Sequence, residues 1–506
     1  MNEFTVITTA EARLPETRTG RHYIDGAWQD SADGETFTRV SPSHGVTVSE
    51  NARGGKAEAE AAIAASRTAF DAGDWAFSSG KSRAELLLKV ADLIDRERER
   101  IAMIEVLESG KPISQAMGEI EGAADLWRYA AALARTLHGE SHNSLGPDML
   151  GLVLKEPIGV ASIITPWNFP FLIISQKLPF ALAAGCTAVV KPSEMTPSTT
   201  VILFELLAEA GLPAGVANLV LGYGDPVGET FSTHPEVDMV TFTGSTGVGK
   251  RIVDAASGTL KKVSLELGGK NPQVIFPDAD LDAAADAIVF GVYFNMGECC
   301  NSGSRIIVHE DVVETLTEKV VALSKKVPFG DPLHNDTLVG AIISDDHQQK
   351  IDGYVKDAVA AGATLALGGA PLEEDALKGR YYQPTVVTNV RADMPIAREE
   401  VFGPVLSVLT FQDFDEAVTL ANNASYGLSA GVWSVSVHTC LDFARKVRAG
   451  TVWTNTWMDG FSELPFGGVK ESGQGRELGR YGLEEFLEVK TVQMRIGQTR
   501  SEWVPS

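Results

Sequence analysis

Cysteine is scarce in this chain. The 506 residues include four cysteines, Cys186, Cys299, Cys300 and Cys440. Four are too few for a disulfide scaffold, and the adjacent Cys299 and Cys300 have poor geometry for pairing with each other. Because no C-x-x-C pair occurs with histidines at zinc-ligand spacing, we expect no structural metal site. The low cysteine content predicts a reducing, cytoplasmic setting.

Positive charge is also in short supply. Lysine and arginine number 43 against 67 aspartates and glutamates, which gives a formal net charge of −24. Since no basic stripe stands out, we expect neither nucleic acid nor an anionic membrane surface as a partner. The acidity is typical of a well-solvated protein, and it leaves open a mild preference for cationic ligands.

Long uninterrupted apolar runs are missing as well. The longest apolar stretch, at about residues 159–175, contains Pro166, Asn168 and Pro170, so it is not expected to span a membrane. The first residues carry no basic segment followed by a long apolar run, so we expect no secretory signal there.

What remains is the composition of a folded protein with several structural units. Apolar residues make up 44% and charged residues 22% of the chain, and its length predicts two to four units. Residues 1–20 are expected to be a loose lead-in. Apolar residues at helical spacing predict one long helix over about residues 81–109 and another over residues 112–137.

From residue 151 onward, predicted strands alternate with predicted helices. The strands lie near residues 152–164, 188–191, 217–221, 239–243 and 304–308, and the helices near residues 199–210, from 245, 280–294 and 312–325. This alternation predicts an α/β protein with parallel, doubly wound sheet. Residues 485–496 are predicted to be extended, and such a terminal strand often joins another element or another subunit.

A rigid amide follows the first of these strands, in Ile164-Thr165-Pro166-Trp167-Asn168-Phe169-Pro170. The prolines restrict the backbone around Asn168, whose side-chain N–H can donate to a developing oxyanion. A plain turn is the alternative, because Asn and Pro are common turn residues.

A glycine-rich turn, Thr243-Gly244-Ser245-Thr246-Gly247-Val248-Gly249-Lys250, separates another predicted strand from a helix. Free N–H groups at that helix start favour a pyrophosphate. The string also matches the start of a P-loop, but Arg251 replaces the hydroxyl residue that ligates magnesium, which disfavours an NTPase. Gly222, Gly224 and Gly228 follow a further strand at a spacing one residue too long for the dinucleotide fingerprint.

Two segments carry candidate reactive groups. Leu265-Glu266-Leu267-Gly268-Gly269-Lys270 places a lone carboxylate before two glycines that allow backbone to approach a ligand, unless Glu266 is simply a solvated strand end. Gly297-Glu298-Cys299-Cys300-Asn301-Ser302-Gly303 places the cysteine pair in a small polar loop. Cysteines are most often buried and apolar, but such a loop is where a reactive thiolate is expected.

Together these segments resemble the aldehyde dehydrogenase superfamily, and the resemblance spans roughly residues 20–495. Leu265 to Lys270 resembles its glutamate motif. Gly297 to Cys300 resembles its cysteine motif, in which position 298 alternates between Gln and Glu. Further matches, in the same order and spacing, are Lys191-Pro192-Ser193-Glu194, Phe242-Thr243-Gly244-Ser245, Glu400-Val401-Phe402-Gly403-Pro404 and Pro465-Phe466-Gly467-Gly468.

The resemblance implies the aldehyde dehydrogenase fold, with a Rossmann-like cofactor domain, an α/β catalytic domain and a small β oligomerisation arm. Residues 21–138 and 159–267 are assigned to the NAD-binding domain and residues 268–482 to the catalytic domain. Residues 139–158 and 483–506 are assigned to the arm. The resemblance also implies a homodimer or homotetramer.

The catalytic roles follow from the same resemblance. Cys300 attacks the aldehyde carbon as a thiolate, while Cys299 is the neighbour that the motif allows to vary. The Asn168 side chain and the Cys300 N–H hold the oxyanion, and Glu266 activates the water that hydrolyses the thioester. Lys177 is expected to help organise the catalytic loop. Members that transfer the acyl group to coenzyme A generally lack the glutamate, so Glu266 predicts hydrolysis to the carboxylate.

The implied cofactor is NAD. Lys191 and Glu194 resemble the pair that contacts the adenine ribose, and a carboxylate there repels the 2′-phosphate of NADP. Ser245 is assigned to the pyrophosphate, and Glu400 and Phe402 to the nicotinamide ribose and ring. The other residues assigned to the cofactor are Ile164, Thr165, Pro166, Trp167, Gly224, Gly228, Phe242, Gly244 and Leu267.

The expected substrate is a small-molecule aldehyde, held by the loop at residues 453–466. Its four aromatic and two acidic residues could surround a cationic tail. Glu463 to Gly468 resembles members that oxidise 4-trimethylaminobutyraldehyde, and Trp457 and Glu463 align with betaine-aldehyde dehydrogenases. The residues assigned to the substrate are Phe169, Trp457, Glu463 and Phe466.

Several alternatives stay open. The aromatic residues could line an unselective tunnel for aliphatic or aromatic aldehydes, since some betaine-aldehyde enzymes carry Tyr and Trp where this chain has Phe169 and Gln176. A semialdehyde dehydrogenase would need Arg or Lys in the substrate loop, which has neither. An inactive binding protein is disfavoured because the nucleophile, base and oxyanion donor are all present. Ester hydrolysis at the cysteine is a possible side activity that would persist without NAD.

Overall fold

A computed structural model describes residues 4–8, 15–372, 377, 379–497 and 504. Its strands are β1 Thr5–Ile7, β2 Arg18–Gly20, β3 His22–Ile24, β4 Ala27–Gln29, β5 Thr36–Val40, β6 Thr47–Ala52, β7 Glu140–His142, β8 Met149–Pro157, β9 Val160–Ile164, β10 Thr187–Lys191, β11 Ala217–Leu219, β12 Met239–Thr243, β13 Lys262–Glu266, β14 Pro272–Ile275, β15 Arg305–His309, β16 Pro328–Gly330, β17 Thr364–Leu367, β18 Thr385–Thr388, β19 Val405–Phe411, β20 Ser429–Trp433, β21 Thr451–Thr454, β22 Gly473–Gln474 and β23 Leu487–Arg495.

Helices separate most of these strands. They are α1 Lys56–Ala72, α2 Gly80–Arg96, α3 Arg98–Ser109, α4 Ile113–Thr136, α5 Pro170–Ala184, α6 Ser198–Ala210, α7 Glu229–Thr233, α8 Thr246–Ala256, α9 Leu281–Tyr293, α10 Val313–Ser324, α11 Asp345–Ala360, α12 Pro395–Arg398, α13 Phe414–Asn422, α14 Val437–Lys446 and α15 Gly479–Glu485. Among the described residues, no helix is both long and apolar enough to cross a membrane.

The first large sheet has eight strands in the order β22-β13-β12-β9-β10-β11-β3-β4. Its five central strands, β13 to β11 in that order, run parallel. Strands β9, β10 and β12 are buried along their whole length, as expected for β-branched and small residues covered by helices on both faces. The predicted α/β class with parallel sheet is confirmed.

The second large sheet has seven strands in the order β17-β18-β19-β15-β14-β20-β21. All but β17 run parallel to their neighbours. The chain passes from the carboxyl end of β13 to the amino end of β14 through residues 267–271 alone. The carboxyl edge of the first sheet therefore meets the amino edge of the second.

Two three-stranded sheets complete the fold. One consists of β2, β6 and β5, and the other has the order β23-β8-β7. Strand β23 pairs antiparallel with all of β8, from Leu487 opposite Pro157 to Arg495 opposite Met149. The predicted final strand is confirmed, and within this chain its partner is β8.

These sheets support the predicted division of the chain, which we retain as a proposal. The cofactor domain holds the first large sheet, the catalytic domain holds the second, and the arm holds β7, β8 and β23. One short strand does not follow this division. Strand β22 belongs to the proposed catalytic domain by its residue numbers, yet it pairs antiparallel with β13 at the edge of the first sheet. Part of the proposed arm, at residues 498–503 and 505–506, lies outside the described residues.

The long helix predicted over residues 81–109 is wrong, because the chain breaks at Glu97 into α2 and α3. No apolar residue lies between Ile94 and Ile101, so no apolar contact holds that turn against the core. The helix predicted over residues 112–137 is confirmed by α4.

The predicted loose lead-in is also wrong where it is described. Strand β1 pairs in parallel with β16, and Phe4 is buried against Phe329 with its ring centroid 5.6 Å away. Burial of the Phe4 side chain thus holds the segment around residues 4–7 in place, although its sequence shows no helical or strand periodicity. Residues 1–3 and 9–14 of the lead-in lie outside the described residues.

A buried cation lies between two of the helices that cover the first sheet. The ammonium of Lys111 is 2.9 Å from a carboxylate oxygen of Glu105 and 2.6 Å from both carboxylate oxygens of Glu119. All three side chains are almost entirely removed from solvent. The same ammonium lies 4.5 Å from the ring centroid of Phe169, so the cluster adjoins the predicted substrate residues.

We expect Lys111→Met to destabilise the protein by about 3–5 kcal/mol, because it leaves two buried carboxyl groups without a countercharge. The measurement is a thermal or urea unfolding transition. Lys56→Met is the matched control, since Lys56 lies 3.6 Å from Glu60 at the surface and such pairs contribute about 0–1 kcal/mol. Equal stability of the two variants would contradict the expectation.

Candidate active site

The predicted site residues converge where the two large sheets meet. Ile164, Lys191, Thr243 and Glu266 end β9, β10, β12 and β13, which are neighbours in the first sheet. In the second sheet, the cysteine loop precedes β15 and residues 400–402 precede β19. Crevices at the carboxyl ends of parallel strands are the usual ligand sites of such sheets.

Asn271, five residues after Glu266, holds the backbone of the cysteine loop through hydrogen bonds. Its Nδ2 donates to the carbonyl oxygens of Cys300, at 2.7 Å, and Ser302, at 3.0 Å. Its Oδ1 accepts from the backbone N–H of Ser429 at 3.1 Å, which ties the loop to β20. The backbone of Cys300 is therefore fixed from the same segment that carries the glutamate.

The two adjacent cysteines differ in their surroundings. Cys299 is buried in an apolar cluster with Phe169 and Ile173, whereas Cys300 is partly exposed. The hydrogen bond with the Cys299 thiol, burial and the nearby carboxyl groups of Glu400 and Glu266 hold the pKa of Cys300 well above its usual range. The thiol of Cys300 is thus protonated at neutral pH in the protein alone.

Glu266 is a buried acid with unpaired oxygens. The residue is 3% exposed, and neither carboxyl oxygen has a hydrogen-bond partner among the described residues. Burial, together with the negative charge of Glu477, raises its pKa well above the usual range, and Lys177 acts against this shift. A carboxylate with a raised pKa binds a proton more strongly than an exposed carboxylate does, which suits a general base.

Lys177 lies beside the glutamate. Its ammonium pairs with the carboxylate of Glu477 and donates to Thr241 Oγ1 at 3.0 Å. Both members of the ion pair are buried. The contacts of Lys177 therefore place it at the predicted base, and its proposed part in organising the cysteine loop stays a prediction.

The Asn168 amide is buried next to the loop. One N–H of its Nδ2 is donated to the carbonyl of Glu298 at 3.0 Å. Asn295 braces this arrangement, because its own Nδ2 donates to the carbonyls of Glu298, at 2.9 Å, and Asn168, at 3.2 Å. No acceptor for the second N–H of Asn168 occurs among the residues that the structure describes.

The segments predicted to hold the cofactor form one continuous edge. Ser245 caps α8, and Gly244 packs against the ring of Phe242, so closely that a side chain on that glycine would collide with the ring. Thr165 and Thr243 have buried hydroxyls without a hydrogen-bond partner among the described residues. Leu267 is buried beneath α8 against Gly249.

Lys191 and Glu194 lie together at the next strand end. The ammonium of Lys191 is 3.7 Å from a carboxylate oxygen of Glu194 and donates to the carbonyl of Pro192 at 2.9 Å. Glu194 stays one-third exposed, so it is accessible to a ligand hydroxyl. A Cβ atom on Gly228 would lie 3.7 Å from the Lys191 stem, and Gly224 begins the short helical turn that Gly228 ends.

Glu400 and Phe402 approach from the second sheet. A carboxylate oxygen of Glu400 accepts the backbone N–H of Gly269 at 2.8 Å, and burial raises the pKa of this acid to about 7. The ring of Phe402 packs edge-on against Trp167 with centroids 5.4 Å apart. Pro166 immediately precedes that tryptophan, so residues from both sheets share one wall.

The predicted substrate residues are dispersed. Phe169 stacks on Phe294 at a centroid separation of 6.0 Å and lies in the cluster with Cys299. Phe466 is half-buried and exchanges two backbone hydrogen bonds of 2.7 Å with Glu477. Glu463 is exposed.

Trp457 is buried beside Gly303, at the end of the cysteine loop. Its ring is 4% exposed and is packed against the backbone of Gly291, Gly303 and Gly431. A Cβ atom at any of these glycines would lie 2.5–3.1 Å from the ring. The ring thus offers almost no free face, which weakens its assigned role as a substrate contact.

A family model described as the aldehyde dehydrogenase family matches residues 28–492. The chain belongs to the aldehyde dehydrogenase family. The resemblance drawn from the motifs, and the expectation of an enzyme of this class, are therefore confirmed.

Curated members of the family match almost the whole chain. A betaine aldehyde dehydrogenase of Bacillus subtilis is 42% identical over 485 residues, which cover 96% of this chain and 99% of that protein. Aldehyde dehydrogenase 1A1 of Gallus gallus is 41% identical, with 95% of this chain and 94% of that protein covered.

Solved structures of aldehyde dehydrogenases confirm the fold. An NAD-dependent aldehyde dehydrogenase from Sinorhizobium meliloti matches with a TM-score of 0.94 and 52% identity over 96% of both chains. A betaine aldehyde dehydrogenase from Staphylococcus aureus, solved in complex with NAD+, matches with a TM-score of 0.94 and 41% identity over 96% of this chain and 97% of that one.

Sequence reasoning missed several residues that build this aldehyde dehydrogenase site. Asn271, Asn295, His347 and Glu477 contact the catalytic segments only through the fold. Asn271 directly follows the glutamate motif, so the sequence could have indicated it as a hydrogen-bonding amide in that turn. Asn295 lies three residues before Glu298, but its second contact, with Asn168, is distant along the chain. His347 and Glu477 lie far along the chain from the residues that they contact, and no local pattern marks them.

We expect alkylation of Cys300 by iodoacetamide, in the absence of cofactor, to accelerate steadily as the pH rises past about 9. A raised pKa keeps the thiol protonated at neutral pH, and only the thiolate reacts. Mass spectrometry of the labelled peptide gives the rate, and Cys300→Ser reports labelling of the other thiols. A rate that reaches a plateau below pH 8 would contradict the raised pKa.

Proposed function

We propose that this enzyme oxidises aldehydes to carboxylates with NAD+ as cofactor, through a thioester on Cys300 that water hydrolyses. The observation that carries the proposal is the convergence of Cys300, Glu266 and Asn168 where the two sheets meet. A nucleophile, a buried acid with free oxygens and an amide donor are the groups that this chemistry requires.

The residues at the sheet edge fit NAD+. The start of α8 at Ser245 suits the pyrophosphate, and Glu194 suits the ribose hydroxyls while repelling a 2′-phosphate. Thr165 and Thr243, whose buried hydroxyls have no hydrogen-bond partner in the described part of the chain, lie at the carboxyl ends of β9 and β12 on the same edge. Glu400 and Phe402 are positioned for the nicotinamide ribose and ring. When bound, NAD+ supplies the acceptor for the aldehyde hydride.

Cys300 forms a carbon–sulfur bond with the aldehyde carbon, and the carbonyl oxygen becomes an oxyanion. The free N–H of Asn168 and the backbone N–H of Cys300 donate to that oxygen. Because the Cys300 thiol is protonated in the protein alone, its proton must leave when the bond forms. Glu266 is the acid whose raised pKa suits it to accept that proton.

Glu266 then acts on water. After the proton from Cys300 has passed from Glu266 to solvent, the Glu266 carboxylate takes a proton from the water, whose oxygen attacks the thioester carbon. The carbon–sulfur bond then breaks, the product acid leaves and ionises, and the Cys300 sulfur takes the proton back from Glu266. The buried pair of Lys177 and Glu477 sets the charge around this base. Hydrolysis, rather than transfer to coenzyme A, is the outcome that a retained glutamate favours.

Cys300→Ser should abolish NADH formation from every aldehyde in a panel assayed with NAD+, whereas Cys299→Ser should retain most of it. Cys299 is buried among apolar side chains, so its thiol is not presented to a substrate. The measurement is steady-state absorbance of NADH. Loss of turnover in Cys299→Ser with retention in Cys300→Ser would overturn the assignment.

Cationic aldehydes, with a trimethylammonio or amino group, are the substrates that we propose. Phe169, stacked on Phe294, lies in the apolar cluster that holds Cys299, the neighbour of the proposed nucleophile. The acidic Glu463 lies on the predicted substrate loop, which has no lysine or arginine. Aromatic faces and carboxylates favour ammonium groups. The Bacillus subtilis relative, at 42% identity, and the Staphylococcus aureus structure, at 41% identity, are both named betaine aldehyde dehydrogenases.

A broad specificity for aliphatic or aromatic aldehydes is the second candidate. The burial of Trp457 favours it, because that ring cannot serve as a wall of a cage around a cation. A semialdehyde substrate is the least favoured, since the substrate loop offers no cationic side chain for a second carboxylate.

Kinetics distinguish these substrate classes. We expect kcat/KM for 4-trimethylaminobutyraldehyde to exceed that for hexanal by about 2- to 30-fold, the range that one good cation–aromatic contact gives. Glu463→Gln should lower only the value for the cation. Equal or lower kcat/KM for the cation in the native enzyme would favour the unselective tunnel.

We also propose a homodimer or homotetramer in which the arm formed by β7, β8 and β23 contributes to the interface. The outer edges of β7 and β23 have no partner strand within the described residues, and such edges are normally paired or covered. The cytoplasmic setting stays a prediction.

A further inference from the structure

Glu298, the residue before the cysteine pair, contacts two parts of the site at once. Its backbone carbonyl accepts the N–H groups of Asn168 and Asn295, as described above. Its side chain is 1% exposed, and Oε1 accepts the backbone N–H of Ile343 at 3.0 Å. Burial raises the pKa of this acid well above its usual range. Glu298 thus joins the oxyanion donor to the segment that leads into α11.

His347 lies on that segment, in the first turn of α11. Ser344 caps the helix by accepting the His347 backbone N–H at 3.2 Å, which fixes the start of a 16-residue helix. The His347 Nε2 lies 3.7 Å from Glu298 Oε1. Burial lowers the pKa of His347 to about 4, so the ring is neutral at pH 7 and carries a single N–H.

That single N–H is donated to Phe402. The distance from His347 Nε2 to the Phe402 carbonyl oxygen is 2.7 Å. Phe402 has a φ of +60°, a conformation that non-glycine residues rarely adopt without support from their surroundings. The hydrogen bond supplies such support at the carbonyl of the strained residue.

The three rings of Trp167, His347 and Phe402 also contact one another. The His347 centroid lies 5.6 Å from that of Trp167 and 5.9 Å from that of Phe402, both in edge-on geometry. Trp167 directly precedes Asn168, and Phe402 follows Glu400 by two residues. The histidine therefore holds the wall to which both sheets contribute.

We propose that His347 is a positioning residue for hydride transfer, holding Phe402 and Trp167 in place while Glu298 ties the same turn to the catalytic loop. The inference rests on the proposed function, in which Phe402 contacts the nicotinamide ring. A displaced ring costs rate because hydride transfer needs close, aligned atoms. Attack of Cys300 on an ester needs no nicotinamide and does not depend on this wall.

The test compares His347→Leu with His347→Gln, which keeps an N–H donor, and with His438→Leu as a matched control at an exposed histidine. Stopped-flow absorbance gives the first-turnover rate of NADH formation. Hydrolysis of p-nitrophenyl acetate without NAD+ reports on Cys300 alone. Fluorescence of bound NADH, together with its Kd, reports how firmly the nicotinamide is held.

We expect His347→Leu to slow the first turnover by about tenfold, to leave ester hydrolysis within about twofold and to reduce the fluorescence enhancement of bound NADH. His347→Gln should recover most of both nicotinamide-dependent signals, and His438→Leu should match the native enzyme. An unchanged first turnover in His347→Leu, or ester hydrolysis that falls in proportion with it, would overturn the proposal.

A second pair of variants covers the case in which His347→Leu does not fold. Glu298→Gln keeps the Oε1 acceptor for Ile343, and Glu298→Leu removes it. Glu298→Leu should lower the first-turnover rate and the fluorescence of bound NADH while ester hydrolysis is retained, and Glu298→Gln should change neither. Loss of these signals in Glu298→Gln but not in Glu298→Leu would refute the proposed connection between Glu298 and the His347 turn. If the native enzyme forms no NADH from any aldehyde, the proposed function fails, whereas the fluorescence of bound NADH still tests the positioning role.

Discussion

The short connection from β13 to β14 is the constraint on which the site depends. Residues 267–271 carry the chain from one large sheet to the other, and backbone from both sheets is packed against them. A Cβ at Gly268 would lie 2.6 Å from a carboxylate oxygen of Glu400, and one at Gly269 would lie 2.6 Å from the Cys300 carbonyl. Because glycine has no side chain, these two positions allow Glu266, the cysteine loop and the Glu400 carboxylate to lie this close together.

Burial of acids is the second theme of the site. Glu266, Glu298 and Glu400 are removed from water with few compensating cations, and their pKa values rise for that reason. In a protein with a large excess of acidic residues, burial thus makes these three carboxylates stronger bases than exposed ones. The groups differ in partners: Glu298 and Glu400 accept backbone hydrogen bonds, whereas neither oxygen of Glu266 has a hydrogen-bond partner at ordinary distance among the described residues.

The sequence predicted the parts of the fold that depend on local chemistry. Strand ends at Ile164, Lys191 and Thr243 are followed by turn or capping residues, and the order of strands and helices follows from them. The break at Glu97 was missed because residues of high helical propensity continue through it. The sequence marks the break only by the absence of apolar residues between Ile94 and Ile101. The strand at Thr5–Ile7 was missed because its partner lies more than three hundred residues away.

Side-chain environment was harder to predict than residue identity. Trp457 reads as a ligand-facing aromatic in a loop, yet three glycines from separate elements provide the space that buries it. His347 and Asn295 carry no motif of their own, because their importance lies in hydrogen bonds to distant backbone. Glu298 was visible only as a permitted variation in the cysteine motif, and its connection to α11 is purely tertiary.

The pairing of β22 with β13 has a consequence for biosynthesis. Glu266 lies opposite Gly473, so the strand that carries the proposed base keeps an uncovered edge until the chain has been synthesised past residue 473. Exposed edges of this kind recruit other strands. A nascent or truncated chain that stops short of residue 473 would therefore combine an incomplete catalytic centre with a strand edge prone to aggregation.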